Sequence, residues 1–526
     1  MKLLNKSILP VLLIAIIALI VWRSTHHTIV RIPEIKDRLE YALQLAGKNR
    51  HELEKVLAHY QNDSLKHTAA VFLIENMPEY ASEEWRAFRK KQVDTTFTLK
   101  NFKNSSEAIQ LMDSLQISFS LISRKTDVTE IKSEFLINNI DKAFGLWNTP
   151  WAKHLNFYDF CEYLLPYRID CEPLEDFRTY LNIRYDSLFQ AARKCTSAFD
   201  VTYTINLRLL KDVRWRSQMA LFPGKFTSKE TDHLKIGDCT HLSDYGLKVF
   251  RSFGIPIAND YVTAWGNMDG AHSWTVAKFN GMEIPFVACD VQPGEFEFWY
   301  RPAKIWRKTF APQYSELMHY KSDNQEIPPE IENQHSIDIT ASYYKTIDMD
   351  VELTSSPPKG NNCAFLCVYN RDQWTPVDWG KINNDTQKVH FKNINDSLLY
   401  CVMYYDWMKL KPATQPFFSV DSTTIKSFSP NSKKRFSFSY TIKQKKVNQS
   451  YKLFVWDGRW QEIASNSPIN DGLNTIVEFK NIPSGGLYKV DDRLRPFWFV
   501  NGKLVRSEPG VPFGIKQLNN AEKPSK

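Results

Sequence analysis

Two stretches near the C-terminus repeat one another, and the repeat constrains the fold more than any other feature. Residues 365–378 read FLCVYNRDQWTPVD and residues 452–463 read KLFVWDGRWQEI. Each is a strand-like run, a polar turn, a tryptophan (Trp374, Trp460) and a second strand-like run. Phe391-Lys392-Asn393-Ile394 returns as Phe479-Lys480-Asn481-Ile482, an offset of 88, and Leu399-Tyr400 returns as Leu487-Tyr488 at the same offset. Pro416-Phe417-Phe418 is echoed by Pro496-Phe497-Trp498, eight residues short of it. Ordered matches near one offset mark a duplicated supersecondary unit. Strands separated by turn residues then predict two related β-sandwiches, at 335–425 and 430–526.

The rest of the chain needs further units, because 526 residues exceed one compact core. At 43% hydrophobic and 13% aromatic, the chain is neither disordered nor fibrous. Its net charge of +8 is mild and spread along the sequence. The basic run Lys443-Gln444-Lys445-Lys446 is too short to mark a nucleic-acid surface, so no nucleic-acid partner is expected.

The N-terminus predicts a compartment. Lys2 and Lys6 precede an uncharged apolar run from Ile8 to Trp22, the length of a long signal core and short for a comfortable membrane span. No small-x-small cleavage site and no lipobox cysteine follows. Residues 1–30 therefore read as an export signal or uncleaved membrane anchor. The expected location is the cell envelope, periplasmic or at the surface. Export permits disulfides, yet none of the eight cysteines shows paired CxxC spacing, so a zinc site is not expected. With Cys239 a free nucleophile, the seven others cannot all pair.

Residues 31–140 read as helical: Leu39, Ala42, Leu43 and Ala46, then Leu53, Val56, Leu57 and Tyr60, then Ala69 to Ile74 before Pro78, follow helical spacing. Residues 141–325 mix helix and strand and carry the chemistry. Gly237-Asp238 is a helix-start signal, Leu242, Tyr245, Leu247, Val249 and Phe250 supply apolar helix positions, and Gly254 with Pro256 ends the run. Cys239 thus falls in the first helical turn. Unpaired backbone N–H groups and the helix dipole there favour a thiolate, the reactive form.

Residues 270–279 read as a strand, Asn280-Gly281 as a hairpin turn and Ile284–Asp290 as the returning strand. That register sets His272 across from Cys289 or Asp290. An imidazole that accepts the thiol proton, oriented by a carboxylate, is what a sulfur nucleophile needs. His241 is two residues past the thiol, and its helical position points it elsewhere.

Gly237-Asp238-Cys239 at a helix start, Gly254-Ile255-Pro256 after the helix, His272-Ser273-Trp274 on a strand and Asp290 on the next resemble the transglutaminase-like superfamily. The resemblance covers about residues 230–295. It implies a papain-like thiol core, with Cys239 as nucleophile, His272 as general base and acid, and Asp290 as orienter. The whole chain is also similar to exported bacterial proteins that join this core to a helical region and β-sandwich tails. That wider likeness rests on Ala46-Gly47-Lys48-Asn49-Arg50 with Glu52-Leu53, on Glu75-Asn76-Met77-Pro78, and on Leu164-Leu165-Pro166-Tyr167-Arg168.

The expected fold is multidomain α+β: a helical region, a transglutaminase-like core at 141–325 and two β-sandwiches. The expected function is thiol acyl transfer, hydrolysing amides of a peptide, protein or glycopeptide through a thioester, with neither cofactor nor metal. One oxyanion donor is the Cys239 N–H, and a second is sought at Trp215 or Gln218. Trp215, Trp265 and Trp274 are candidate substrate contacts. The alternative is a non-catalytic envelope protein that binds glycan or protein, with Trp374, Trp460 and Trp498 stacking on sugars and a vestigial thiol core.

Overall fold

A computed structural model describes residues 37–89, 92–93, 106, 110, 118–195, 197–217, 219, 222–279, 281–442, 449–470, 475–491 and 495–506. The expected export segment at 1–30, the basic run at 443–446, Gln218 and Asn280 lie outside the described residues.

Three helices open the described chain: Arg38–Leu45, Arg50–His59 and Ser64–Glu75. Asp37 and Asp63 cap the first and third, accepting from the backbone N–H of Glu40 and Lys66. Their buried stripes include Ala42, Leu43, Leu53, Val56, Ala69 and Leu73, as the helical spacing predicts. Beyond Pro78 the expectation of helix through residue 140 fails. Strand Ala81–Arg89 pairs antiparallel with Ser118–Thr126. Its reason is local: Ala81 and Ala87 turn inward while Glu84 and Arg86 are exposed, a period of two that no helix can satisfy. Helix Ser133–Trp147 follows.

The mixed core is an antiparallel five-stranded sheet in the order Ser336–Asp338, Trp306–Lys308, Ile257–Val262, His272–Phe279, Met282–Phe286. Alternation along the histidine strand divides two cores. Ala277 and Phe279 join Leu242, Tyr245, Val249 and Phe250 of helix Cys239–Ser252. Trp274 and Val276 join Phe298 and Tyr343 on the opposite face.

From Ile347 onward the described elements are strands, and corresponding strands of the two repeats follow one another in the same order, as one sheet in the first repeat and divided between two sheets in the second. In the first, Ile347–Glu352, Lys388–Ile394, Gln373–Asn383, Cys363–Asn370, Leu399–Asp406, Phe417–Ser419 and Ile425–Ser427 lie side by side. In the second, Asn431–Thr441 pairs with Thr475–Ser484, while Trp460–Asn466, Tyr451–Trp456, Tyr488–Val490, Phe497–Val500 and Lys503–Arg506 form the adjoining sheet. Both units are sandwich-like, and the chain as a whole is multidomain α+β. All eight cysteines are free thiols.

Of the three tryptophans expected as sugar platforms, Trp374 and Trp498 are buried in packing, whereas Trp460 is half-buried. Trp374 is 6% and Trp498 is 3% exposed. Trp374 meets Trp456 edge-on at 5.6 Å, Trp460 meets Tyr369 at 5.7 Å, and Trp498 lies between Phe418 and Phe428. These rings join the two repeats face to face, which the strand pattern of either repeat alone could not reveal.

Candidate active site

Helix Cys239–Ser252 begins at the cysteine because Asp238 caps it. One oxygen of Asp238 accepts from the backbone N–H of Thr240 (2.9 Å) and His241 (3.0 Å) and bonds the His241 ring at Nδ1 (2.7 Å). Burial, the largest influence, opposes ionisation of this carboxyl, but the side-chain, charge and backbone interactions of His241 together with the Thr240 hydroxyl outweigh it, and the group stays well below the usual carboxylate range. His241 Nε2 meets the Gly224 carbonyl at 3.0 Å, and its ring stacks on Phe226. His241 is therefore committed to the cap, away from any proton transfer.

The helix start does not make the thiol acidic. Burial, then the neighbouring Asp238 charge, push Cys239 up to about 11, against the relief given by the Ser273 N–H and the Lys225 ammonium. The expectation of a depressed pKa weighed only the helix end; desolvation wins. The Ser273 contact nevertheless sets the sulfur against the first residues of the histidine strand. Lys225 is tied to Asp244 at 2.8 Å. No sequence pattern singled out Lys225; it reaches the site from the loop before helix Ser228–Leu234.

His272 is the first residue of its strand. Its ring lies 6.1 Å from Trp265 and 5.9 Å from Trp274. Burial lowers its pKa to about 4, so the imidazole is neutral at neutral pH and, until a charged partner offsets its desolvation, a weak proton acceptor. Among the described residues the thiol and imidazole make no hydrogen bond to each other; such bonds commonly tighten only when substrate is bound.

Asp290 departs from the hairpin register. The ladder ends at Thr275↔Phe286, and Val287 pairs instead with Val291 across a turn. Cys289 adopts φ 65°, and its N–H is held by Asn206 Oδ1 at 2.9 Å. Asn206, from helix Ala198–Asp212, also donates to the Val291 carbonyl at 3.0 Å. This distant anchor stops the strand short, leaving the Asp290 carboxyl exposed and without a hydrogen bond to His272 among the described residues. Although the residue is exposed, the part of its carboxyl covered by neighbouring atoms is desolvated, which raises its pKa.

The three candidate tryptophans separate. Trp274 is fully buried and donates Nε1–H to Tyr343 Oη at 2.9 Å; as a core residue it offers a substrate no surface. Trp265 is 5% exposed and walls the imidazole. Trp215 is exposed and sits beside the thiol segment, because its short strand runs parallel to Ile236–Gly237, with Trp215 opposite Gly237. Arg216 N–H to the Gly237 carbonyl, 2.8 Å, fixes that pairing.

The Leu164–Arg168 segment is structural. Arg168 is buried against Asp127 at 2.7 Å, and its guanidinium donates to the carbonyls of Ala81, Asp170 and Glu172. Among the described residues no group of acidic, histidine and cysteine side chains could hold a metal.

Two solved structures resemble the chain slightly. One is a Cytophaga hutchinsonii protein provisionally described as a cysteine protease, 18% identical over 22% of this chain and 43% of its own, with a TM-score of 0.17. The chain thus spans under half of that protein's length. The other is red sea bream transglutaminase, 8% identical over 61% of this chain and 71% of its own, with a TM-score of 0.20. No family model and no curated protein matches the chain. Likenesses this slight leave the chemistry of the site to rest on its own residues.

Proposed function

We propose that the protein is a transglutaminase-like thiol acyl-transfer enzyme that hydrolyses amides of peptides, proteins or glycopeptides, exported to the cell envelope. The observation that carries this reading is the placement of Cys239: first turn of a helix, sulfur against the Ser273 N–H, beside a strand that begins with a neutral imidazole.

In this reading His272 accepts the Cys239 proton as the sulfur bonds to the substrate carbonyl carbon. The Cys239 N–H faces the resulting oxyanion. The imidazolium returns the proton to the leaving amine as the C–N bond breaks, giving a thioester. Water, deprotonated by the same imidazole, then frees the acid and the thiol. Asp290, on the turn after the returning strand, is the carboxylate assigned to orient the imidazole. Trp215 lines the rim.

Iodoacetamide labelling at neutral pH, resolved by peptide mass spectrometry, tests the reading. Cys239→Ala should abolish the dominant label, and His272→Ala should slow Cys239 alkylation. Dominant labelling of another cysteine would overturn it. The burial of Trp374 and Trp498 weighs against the sugar-platform alternative. Any glycan contact falls instead to a cleft of about 1230 Å³ lined by Trp306, Tyr314 and Trp379, where the mixed core meets the first repeat.

A further inference from the structure

The loop 263–271, between strand Ile257–Val262 and His272, is held from outside its own domain. Asn370, the last residue of a central strand of the first repeat, is 4% exposed and enters this loop. Its Nδ2 faces the carbonyls of Trp265 (3.2 Å), Met268 (3.0 Å) and Gly270 (3.0 Å), while its Oδ1 accepts the Gly270 N–H at 3.0 Å. Gly270 sits at φ +105°, where a side chain would be strained. The Arg371 N–H donates to Asp269 at 2.9 Å. From the second repeat, Arg495 pairs with the same Asp269 carboxylate at 3.1 Å and donates to the Gly266 carbonyl at 3.0 Å. The loop so held carries the Trp265 ring that walls His272, and it delivers the chain to His272 itself.

We infer that Asn370 is a positioning residue for the His272 imidazole, so that the β-sandwich repeats complete the catalytic centre rather than trail from it. This rests on the thiol–imidazole reading above. A single amide whose two N–H hydrogens are shared among three carbonyls of one loop, and whose oxygen holds an N–H of the same loop, leaves that loop little freedom, and its loss leaves buried backbone groups short of partners. Small misplacements of a catalytic base cost rate far out of proportion to their size.

The test is the pH dependence of iodoacetamide alkylation at Cys239, followed by peptide mass spectrometry on the full chain. Asn370→Ala should shift the profile toward that of His272→Ala, with alkylation at pH 7 slower by about tenfold or more. Asp378→Ala breaks a contact across the same domain boundary that does not touch the loop, to Lys304 at 3.2 Å, and should lose stability while keeping the wild-type profile. If Asn370→Ala does not fold, Arg495→Ala loosens the same loop and should shift the profile in the same direction. A wild-type profile in the folded loop variant, or an equal shift in Asp378→Ala, overturns the inference. If His272→Ala itself matches wild type, the thiol–imidazole reading falls, and the inference with it.

Discussion

The Trp265 ring lies over the His272 imidazole with their planes inclined by 29° and their centroids 6.1 Å apart. The imidazole is thereby enclosed in apolar surroundings, and burial lowers its pKa to about 4.

A pH dependence of stability follows. An unfolded histidine takes its proton near pH ~6.5, whereas His272 in the fold resists until about 4. Its contribution is present above pH ~6.5 and is lost as pH falls through about 4, amounting to at most about 3 kcal/mol. Urea unfolding of wild type and His272→Ala at pH 7.0 and 4.5 checks this; equal losses in the two proteins on acidification would refute it. Cys239 adds the opposite limb. Its folded pKa of about 11 contributes stability below the ordinary thiol range that disappears as pH rises toward 11, and Cys239→Ser should flatten that loss.

Gly246 lets the cysteine helix approach the turn that carries Asp290. A Cβ at this position would come within 2.2 Å of the Ala288 Cβ. Gly246→Ala should cost about 1–3 kcal/mol through overpacking. Adding Ala288→Gly should recover much of that, and thermal unfolding of the double-mutant cycle reads the coupling. Additive losses would show that the two positions do not meet.

Trp374 and Trp407 make a contrasting pair within one module. Trp374 is 6% exposed in the face between repeats, whereas Trp407 is 80% exposed at a hairpin tip. Trp374→Ala should cost about 3–5 kcal/mol. Trp407→Ala should stay within about 0.5 kcal/mol. Denaturant midpoints at a shared slope separate them, and similar values would remove the packing role assigned to Trp374.

Arg168 cannot be replaced by lysine. Its fork serves Asp127, Ser82 and three carbonyls at once, and an ammonium cannot reproduce that geometry. Arg168→Lys and Arg168→Ala should both destabilise, the latter by about 3–5 kcal/mol because Asp127 is left buried and unpaired. Asp127→Asn in the Arg168→Ala background should relieve part of the loss, as measured by calorimetry.

The features legible in the sequence are those determined within a few residues. Asp238 announces the helix start at Cys239 because a cap bonds its own next turn. The 88-residue offset exposes the repeat, and the shared strand order follows it. The features that escaped depend on distant partners. The hairpin register fails beyond Phe286 because Asn206, on another helix, seizes the turn at Cys289. The weak acidity of Cys239 escapes a local reading because burial is a property of the assembled core rather than of a helix start. The ribbon at 81–89 escapes too, because Glu83 on its inner side and Phe88 on its outer side blur the alternation, and its strand form shows only in the pairing with Ser118–Thr126.

The aromatic seam between the repeats has a consequence for how this polypeptide can be cut. Trp374, Trp456, Trp460 and Trp498 dry one another, so shortening the gene after the first copy would strip cover from a broad indole-rich flank and invite clumping. Neither copy is a detachable bead; the pair behaves as one block, made or lost together.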